Sequence, residues 1–207
     1  MTFPSKIVCV GRNYRDHAKE LGNEVPKEPL IFLKPSSSII RTGDAIRLPK
    51  QSKQVEFEGE IGVIIGRRLR RAAEKDAAGA VASIVAANDV TARDLQKAEP
   101  QWTRAKGFDT FCPLGEPKTT AIRFEELTVV TRLNGIERQR GTGADMVFSI
   151  PVILAYISQV MTLEPGDLVL TGTPAGVGPL HPGDEVEVEV VGVSRVKNSV
   201  TAPESTN

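Results

Sequence analysis

Cysteine is nearly absent from this chain of 207 residues: Cys9 and Cys112 are the only two and stand far apart. A disulfide framework or a cysteine-rich metal site is thereby excluded. Cys9, within Lys6-Ile7-Val8-Cys9-Val10, is expected to pack as a small apolar side chain. Net charge is absent too. Twenty-six basic residues balance twenty-six acidic ones, leaving no overall field to draw in nucleic acid or an anionic membrane. The expected partner is a small molecule. No segment approaches the roughly 18 uninterrupted apolar residues of a membrane span, and no apolar N-terminal stretch precedes a small-residue cleavage site, so a cytoplasmic location is expected. Internal repeats and low-complexity tracts are also missing. The length suits one domain over residues 1–207, with a polar tail from about 201 to 207 expected to fray.

What the chain does contain is mostly short β-type segments separated by turn signals. Ile7–Val10, Leu30–Leu33, Glu60–Ile65 and Val81–Ala87 read as strands. Thr128–Leu133 and Ile136–Gln139 read as a hairpin, because Asn134-Gly135 supplies the positive φ angles of a type I′ turn. Glu185–Val190 alternates strictly, with one face buried and its glutamates in solvent. Helices are few. The best spans about Pro151–Met161, capped by Ser149, with Ile153, Tyr156, Ile157 and Val160 as its packing stripe; a shorter one covers Tyr14–Leu21 and stops at Gly22.

Several constellations could carry chemistry. In Glu56-Phe57-Glu58-Gly59-Glu60-Ile61-Gly62-Val63, read as one strand, Glu58 and Glu60 face the same way. Carboxylates aimed at one point repel unless a cation lies between them, and oxygen donors alone suit a hard divalent ion rather than zinc. A solvated acidic edge has the same pattern. Asp89, sharing parity with Val81, Ser83, Val85 and Ala87, ends the next long strand as a candidate third ligand. Beyond it, Arg93 and Gln96 have the i, i+3 spacing to grip an anionic substrate, or simply form a charged turn.

On the first helix His17 and Glu20 are also i, i+3. A carboxylate beside an imidazole raises its basicity and fixes its tautomer, as a water-activating base requires, although a surface charge pair has the same spacing. The polar loop Gly22–Lys27 could let this helix act as a lid. Lys106, among Trp102 and small residues, could steady an enolate or be a solvated loop lysine. Asp167–Pro179 runs a strand into a glycine-rich loop whose N–H groups and hydroxyls suit a carboxylate; it lacks the Gly-Lys-Ser/Thr ending of a phosphate loop. His181 reads as an ordinary turn residue.

In this order the motifs resemble the fumarylacetoacetate hydrolase family, specifically its short single-domain branch of acylpyruvate hydrolases and oxaloacetate decarboxylases. The segments that carry the resemblance are Ile7–Tyr14, Phe32-Leu33-Lys34-Pro35, Glu58-Gly59-Glu60, Asp89–Asp94, Ala105-Lys106 and Leu170–Pro174. The resemblance implies a strand-dominated α+β fold, a mixed β-roll with few short helices, in a homodimer. It makes Glu58, Glu60 and Asp89 ligands of Mg²⁺ or Mn²⁺, and His17 with Glu20 the water-activating dyad on a lid. Lys106, Gln96 and Thr173 would face the substrate, Arg93 and the Arg12-Asn13 turn would shape the pocket, and Glu56 would stand behind the ligands. The implied reaction is metal-dependent cleavage of the C–C bond of acylpyruvates through a pyruvate enolate, which oxaloacetate decarboxylation would share. An isomerase or tautomerase of the same family would use that enolate without cleavage, and a non-catalytic module binding an ion and a dicarboxylate is a third reading.

Overall fold

Short runs that are apolar on both sides, or apolar on alternate residues, pair into strands throughout the computed structural model, which describes residues 4–203. The first half of the chain forms β1 (Ile7–Gly11), β2 (Leu30–Lys34), β3 (Ile39–Arg41), β4 (Ala45–Arg47), β5 (Val55–Phe57), β6 (Gly59–Ile65), β7 (Val81–Asn88) and β8 (Thr91–Ala92). The second half forms β9 (Cys112–Leu114), β10 (Thr128–Leu133), β11 (Ile136–Thr142), β12 (Leu168–Leu170), β13 (Gly178–Pro179), β14 (Glu185–Val190) and β15 (Ser194–Thr201). The helices are short: α1 (Arg15–Glu20), α2 (Glu74–Ala77), α3 (Arg93–Ala98), α4 (Thr103–Lys106) and α5 (Ile150–Val160). Among the described residues no helix is long and apolar enough to cross a membrane.

Three sheets result, ordered β2-β1-β12-β6-β7-β9-β3, β11-β10-β14-β15-β4 and β13-β5-β8. Parallel pairs, β1 with β12, β3 with β9 and β4 with β15, stand among antiparallel ones. The fold is therefore the strand-dominated, mixed α+β arrangement that the sequence led us to expect.

Strand parity builds the core. Val8 and Val10 of β1 face a large cluster with Ile61 and Val63 of β6, Val188 and Val190 of β14, and α5, while Ile7 and Cys9 face a second cluster with Val85, Cys112 and Leu170. Cys9 is thus the buried apolar residue expected, and burial pushes its thiol pKa up. Gly59 lets the sheets meet: a Cβ there would lie 1.9 Å from Thr131 Oγ1 on β10.

Local signals held in most places. Asn134 (φ 53°) and Gly135 (φ 78°) make the left-handed turn between β10 and β11. β14 buries its valines and sets Glu187 and Glu189 against Arg132. His181 is an exposed turn residue facing Asp184.

Other expectations need correction. Helix α5 starts one residue early, so its buried stripe is Ile150, Ile153, Leu154 and Ile157. Tyr156 is half-buried, Val160 is 60% exposed, and the Ser149 side chain makes no capping hydrogen bond. Glu56–Val63 is not one strand. It breaks at Glu58, leaving β5 in the three-stranded sheet and β6 in the seven-stranded one. At the C-terminus Thr201 still pairs with Arg47 in the sheet, and 204–207, the end of the expected frayed tail, lie outside the described residues.

Candidate active site

The break at Glu58 is what builds the site. Where β5 passes into β6, Glu58 donates its N–H to Asn88 Oδ1 at 2.9 Å, and Asp89, just past the end of β7, donates its N–H to the Glu58 carbonyl at 2.8 Å. These two bonds stitch the strand ends together. Glu58, Glu60 and Asp89 are all buried, and one carboxylate oxygen from each lies within 4.8 Å of the other two.

Buried carboxylates this close require compensation. Lys106, placed by the single turn of α4, donates from Nζ to Glu58 Oε2 at 2.8 Å and to Asp89 Oδ2 at 2.7 Å. Arg93, the first residue of α3, donates from Nε to Glu56 at 2.7 Å and from a terminal nitrogen to Glu58. Lys34 Nζ lies 2.8 Å from Asp89 Oδ1, yet that oxygen is buried without a directed hydrogen bond, so the contact is one of charge. Burial pushes the Glu58 carboxyl up, but Lys106 and Arg93 outweigh it and hold the group well below the usual carboxylate range. Lys106 is pushed down by burial and held above its ordinary value by Asp89 and Glu58.

Glu60 has the opposite balance. Burial and the charges of Asp89 and Glu58 push its carboxyl well above the ordinary value, and its backbone partner is the Gly172 N–H at 2.7 Å. The three-carboxylate set fits a hard divalent ion: its oxygens converge, Glu60 lacks a directly bonded cation, and Asp89 Oδ1 accepts no directed hydrogen bond.

The cluster opens into a cavity of about 300 Å³ that His17, Arg12, Gln96 and Thr173 also line. On α1, His17 is buried and its Nδ1 lies 3.2 Å from Glu20 Oε2. Phe32 and Trp102 pack edge to face in the wall, centroids 5.2 Å apart, and Lys106 Nζ stands 5.2 Å from the Phe32 centroid.

Of the residues expected at the pocket, one lies outside its lining, and two that line it are already hydrogen-bonded within the protein. Asn13 lies outside the cavity lining: its Nδ2 donates to the carbonyls of Phe148 and Thr171, and its Oδ1 accepts from Phe148 N, which spends the amide on fastening the loop. Arg93 lines the cavity, but its donors are engaged by Glu56, Glu58 and Gln96, so it brackets the carboxylates. Thr173 Oγ1 donates to the Gly59 carbonyl at 2.9 Å and accepts from Gln139 Nε2 at 2.7 Å. The glycine-rich loop directs its N–H groups to the chain's own carboxylates, Gly172 to Glu60 and Gly176 to Glu20.

Two residues escaped the sequence reading as site members. Lys34 ends an otherwise apolar strand, and a lysine at that position is a signal of a buried partner. Gln139 ties Gly59, between two of the carboxylates, to Thr173 and Pro174; it sits in a polar hairpin strand that gives no local cue.

Relatives of known structure or name share this frame. A mitochondrial oxaloacetate tautomerase FAHD1 of Arabidopsis thaliana is 43% identical over 202 residues, covering 95% of this chain and 91% of its own. The crystal structure of a 5-carboxymethyl-2-hydroxymuconate delta-isomerase from Mycobacterium smegmatis superposes with a TM-score of 0.90 at 41% identity, covering 98% of this chain and 81% of that one. A fumarylpyruvate hydrolase from Pseudomonas aeruginosa, in complex with Mn²⁺ and pyruvate, gives a TM-score of 0.90 at 28% identity, covering 98% and 92%. Residues 6–201 match the family description "Fumarylacetoacetate (FAA) hydrolase C-terminal", and the chain belongs to the fumarylacetoacetate hydrolase family.

Proposed function

We propose that this chain is a divalent-metal-dependent hydrolase that cleaves acylpyruvates, 2,4-dioxo acids such as acetylpyruvate or fumarylpyruvate, into a carboxylic acid and pyruvate. The observation that carries the proposal is a buried imidazole, His17, oriented by a carboxylate and facing the same cavity as three converged carboxylates.

Glu58, Glu60 and Asp89 would hold Mg²⁺ or Mn²⁺, which when bound supplies Lewis-acid charge and a template for the carboxylate and keto oxygens of a 2-oxo acid. With Nδ1 turned to Glu20, the other ring nitrogen of His17 is left to take a proton from water. That water adds to the distal carbonyl, the C–C bond to the pyruvate unit breaks, and its electron pair passes to the pyruvate fragment as an enolate. Lys106, held cationic by its neighbours, offsets the enolate charge. A proton returned to carbon completes pyruvate, so one water is consumed and two acids leave. A homodimer belongs to the same proposal, supported by Leu30 and Leu33 left exposed on the edge strand β2.

A second reading is tautomerisation or decarboxylation of oxaloacetate, favoured by the 43% identity to a protein named as an oxaloacetate tautomerase. Pyruvate release from acetylpyruvate, fumarylpyruvate and oxaloacetate, measured after chelation and again with Mg²⁺ restored, separates the readings. Metal-dependent pyruvate from the dioxo acids supports hydrolysis. A changing keto–enol signal without pyruvate would replace it with tautomerisation.

A further inference from the structure

Among the described residues four lysine and arginine side chains line the cavity, and they divide into two pairs. Arg93 and Lys106 are buried and paired with Glu56, Glu58 and Asp89. Arg12 is partly exposed and Lys97 exposed, and among the described residues neither side chain makes an ion pair or a hydrogen bond. They are unspent charge at the mouth of a pocket whose acidic lining residues all lie at its inner end.

The geometry of α3 accounts for Lys97. Arg93, Gln96 and Lys97 are i, i+3 and i+4, so they share one face of the helix, and Lys97 stands about one turn, ~5.4 Å, further along it. Exposure rises in the same order, from buried Arg93 through half-buried Gln96 to exposed Lys97. The face runs from the carboxylate cluster out to the rim. Arg12, which lines the same cavity, sits in the left-handed region at φ 57°, at the turn between β1 and α1.

Charge accounting points the same way. At the inner end Glu56, Glu58, Glu60 and Asp89 exceed Lys34, Arg93 and Lys106 by one charge, so a bound dication leaves one positive charge, which a single head-group carboxylate cancels. Arg12 and Lys97 are then left over. We infer that they form a second anion subsite that selects substrates with a carboxylate at the far end of the acyl chain, so that the preferred 2-oxo acid is a dicarboxylate, with Lys97 as the specificity-determining residue. Phe32 and Trp102 give the intervening carbon chain an apolar wall. The inference rests on the reading of the inner end as a 2-oxo acid site.

The test uses two unreactive probes that differ only at the tail, 2-oxoglutarate and 2-oxopentanoate, titrated calorimetrically into the Mg²⁺-loaded protein. Charge-assisted hydrogen bonds to the tail carboxylate should make 2-oxoglutarate bind roughly tenfold or more tightly. Lys97→Met should collapse that ratio to about threefold or less, and Lys97→Glu should bring it to parity or below. Lys97 is exposed and unpartnered, so neither variant should unfold the chain. Equal wild-type affinities for the two acids, or a ratio unmoved by Lys97→Met, would overturn the subsite while leaving the proposed hydrolase standing. Failure of both acids to bind would overturn the 2-oxo acid reading and the subsite with it.

Discussion

Gly176 donates its backbone N–H to Glu20, 3.0 Å from Oε1 and 3.2 Å from Oε2, so the carboxylate that orients His17 is itself held by a loop 156 residues further along the chain. The loop can do this because Gly176 adopts φ +103°, with the space of a Cβ taken by the Arg138 carbonyl 2.0 Å away. The helix carrying the imidazole is thereby fastened to the loop that also carries Thr173, and the proposed general base depends on a backbone contact as well as a side-chain pair.

Gly176→Ala should displace that loop. The clash and the left-handed φ together cost about 1–3 kcal/mol, and turnover should fall about tenfold or more while Mg²⁺ affinity changes little, because the ligand carboxylates lie on other elements. Steady-state kinetics beside a metal titration checks this. Equal losses in both would show that the loop supports the whole site rather than the dyad.

Glu60 should make metal binding depend on pH. Its carboxyl is raised by burial and by Asp89 and Glu58, so it retains a proton in the range where Glu58 is already ionised, and an incoming cation must displace that proton. Affinity for Mg²⁺ should therefore rise with pH, by up to about tenfold per unit while Glu60 is protonated in the free protein. Titrations at a series of pH values measure the slope, which Glu60→Gln should flatten while lowering affinity.

The same asymmetry predicts opposite stability effects at two neighbouring carboxylates. An acid whose folded pKa lies above its unfolded value of about 4.3 weakens the fold as pH rises past that value. Glu60→Gln should thus raise the Tm of the metal-free protein at neutral pH. Glu58→Ala should lower it, because Arg93 and Lys106 lose a partner inside the protein, a loss of about 3–5 kcal/mol. Thermal melts in chelator decide, and a stabilised Glu58→Ala would contradict the charge balance described here.

Gln139→Leu removes the acceptor for Gly59 N–H and the donors to Thr173 and Pro174. Each buried group left unpaired costs about 1–3 kcal/mol. The expected result is lower stability together with a lower kcat, since Gly59 joins Glu58 and Glu60, two of the proposed metal ligands. A variant with normal stability and normal kcat would show that the loop is held elsewhere.

The parts of this site that were legible in the sequence are those where local spacing becomes geometry directly. His17 and Glu20 meet because i, i+3 residues meet on any helix, and Asp89 is at a strand end because the apolar run Ile84–Ala87 stops just before it. Glu58 and Glu60 do converge, although the chain achieves it by breaking between two sheets rather than by strand alternation. The partners of Arg93 and Asn13 were not legible, for a different reason. A guanidinium or an amide carries no sign in the sequence of whether it will be consumed by the protein, and here Glu56, Glu58 and the backbone of Phe148 and Thr171 claim them first. Lys34 and Gln139 lie far along the chain from the residues they support, and only the sheet order brings them in.

Hydrolysis driven by His17 is tested most simply by pyruvate release from fumarylpyruvate by the Mg²⁺-loaded wild type and His17→Ala, each followed beside its Mg²⁺ affinity. Metal-dependent pyruvate is expected from the wild type, with a loss of about 10²- to 10⁴-fold in His17→Ala and unchanged metal binding in the variant. Full turnover by His17→Ala, or pyruvate release that survives chelation, would contradict this expectation.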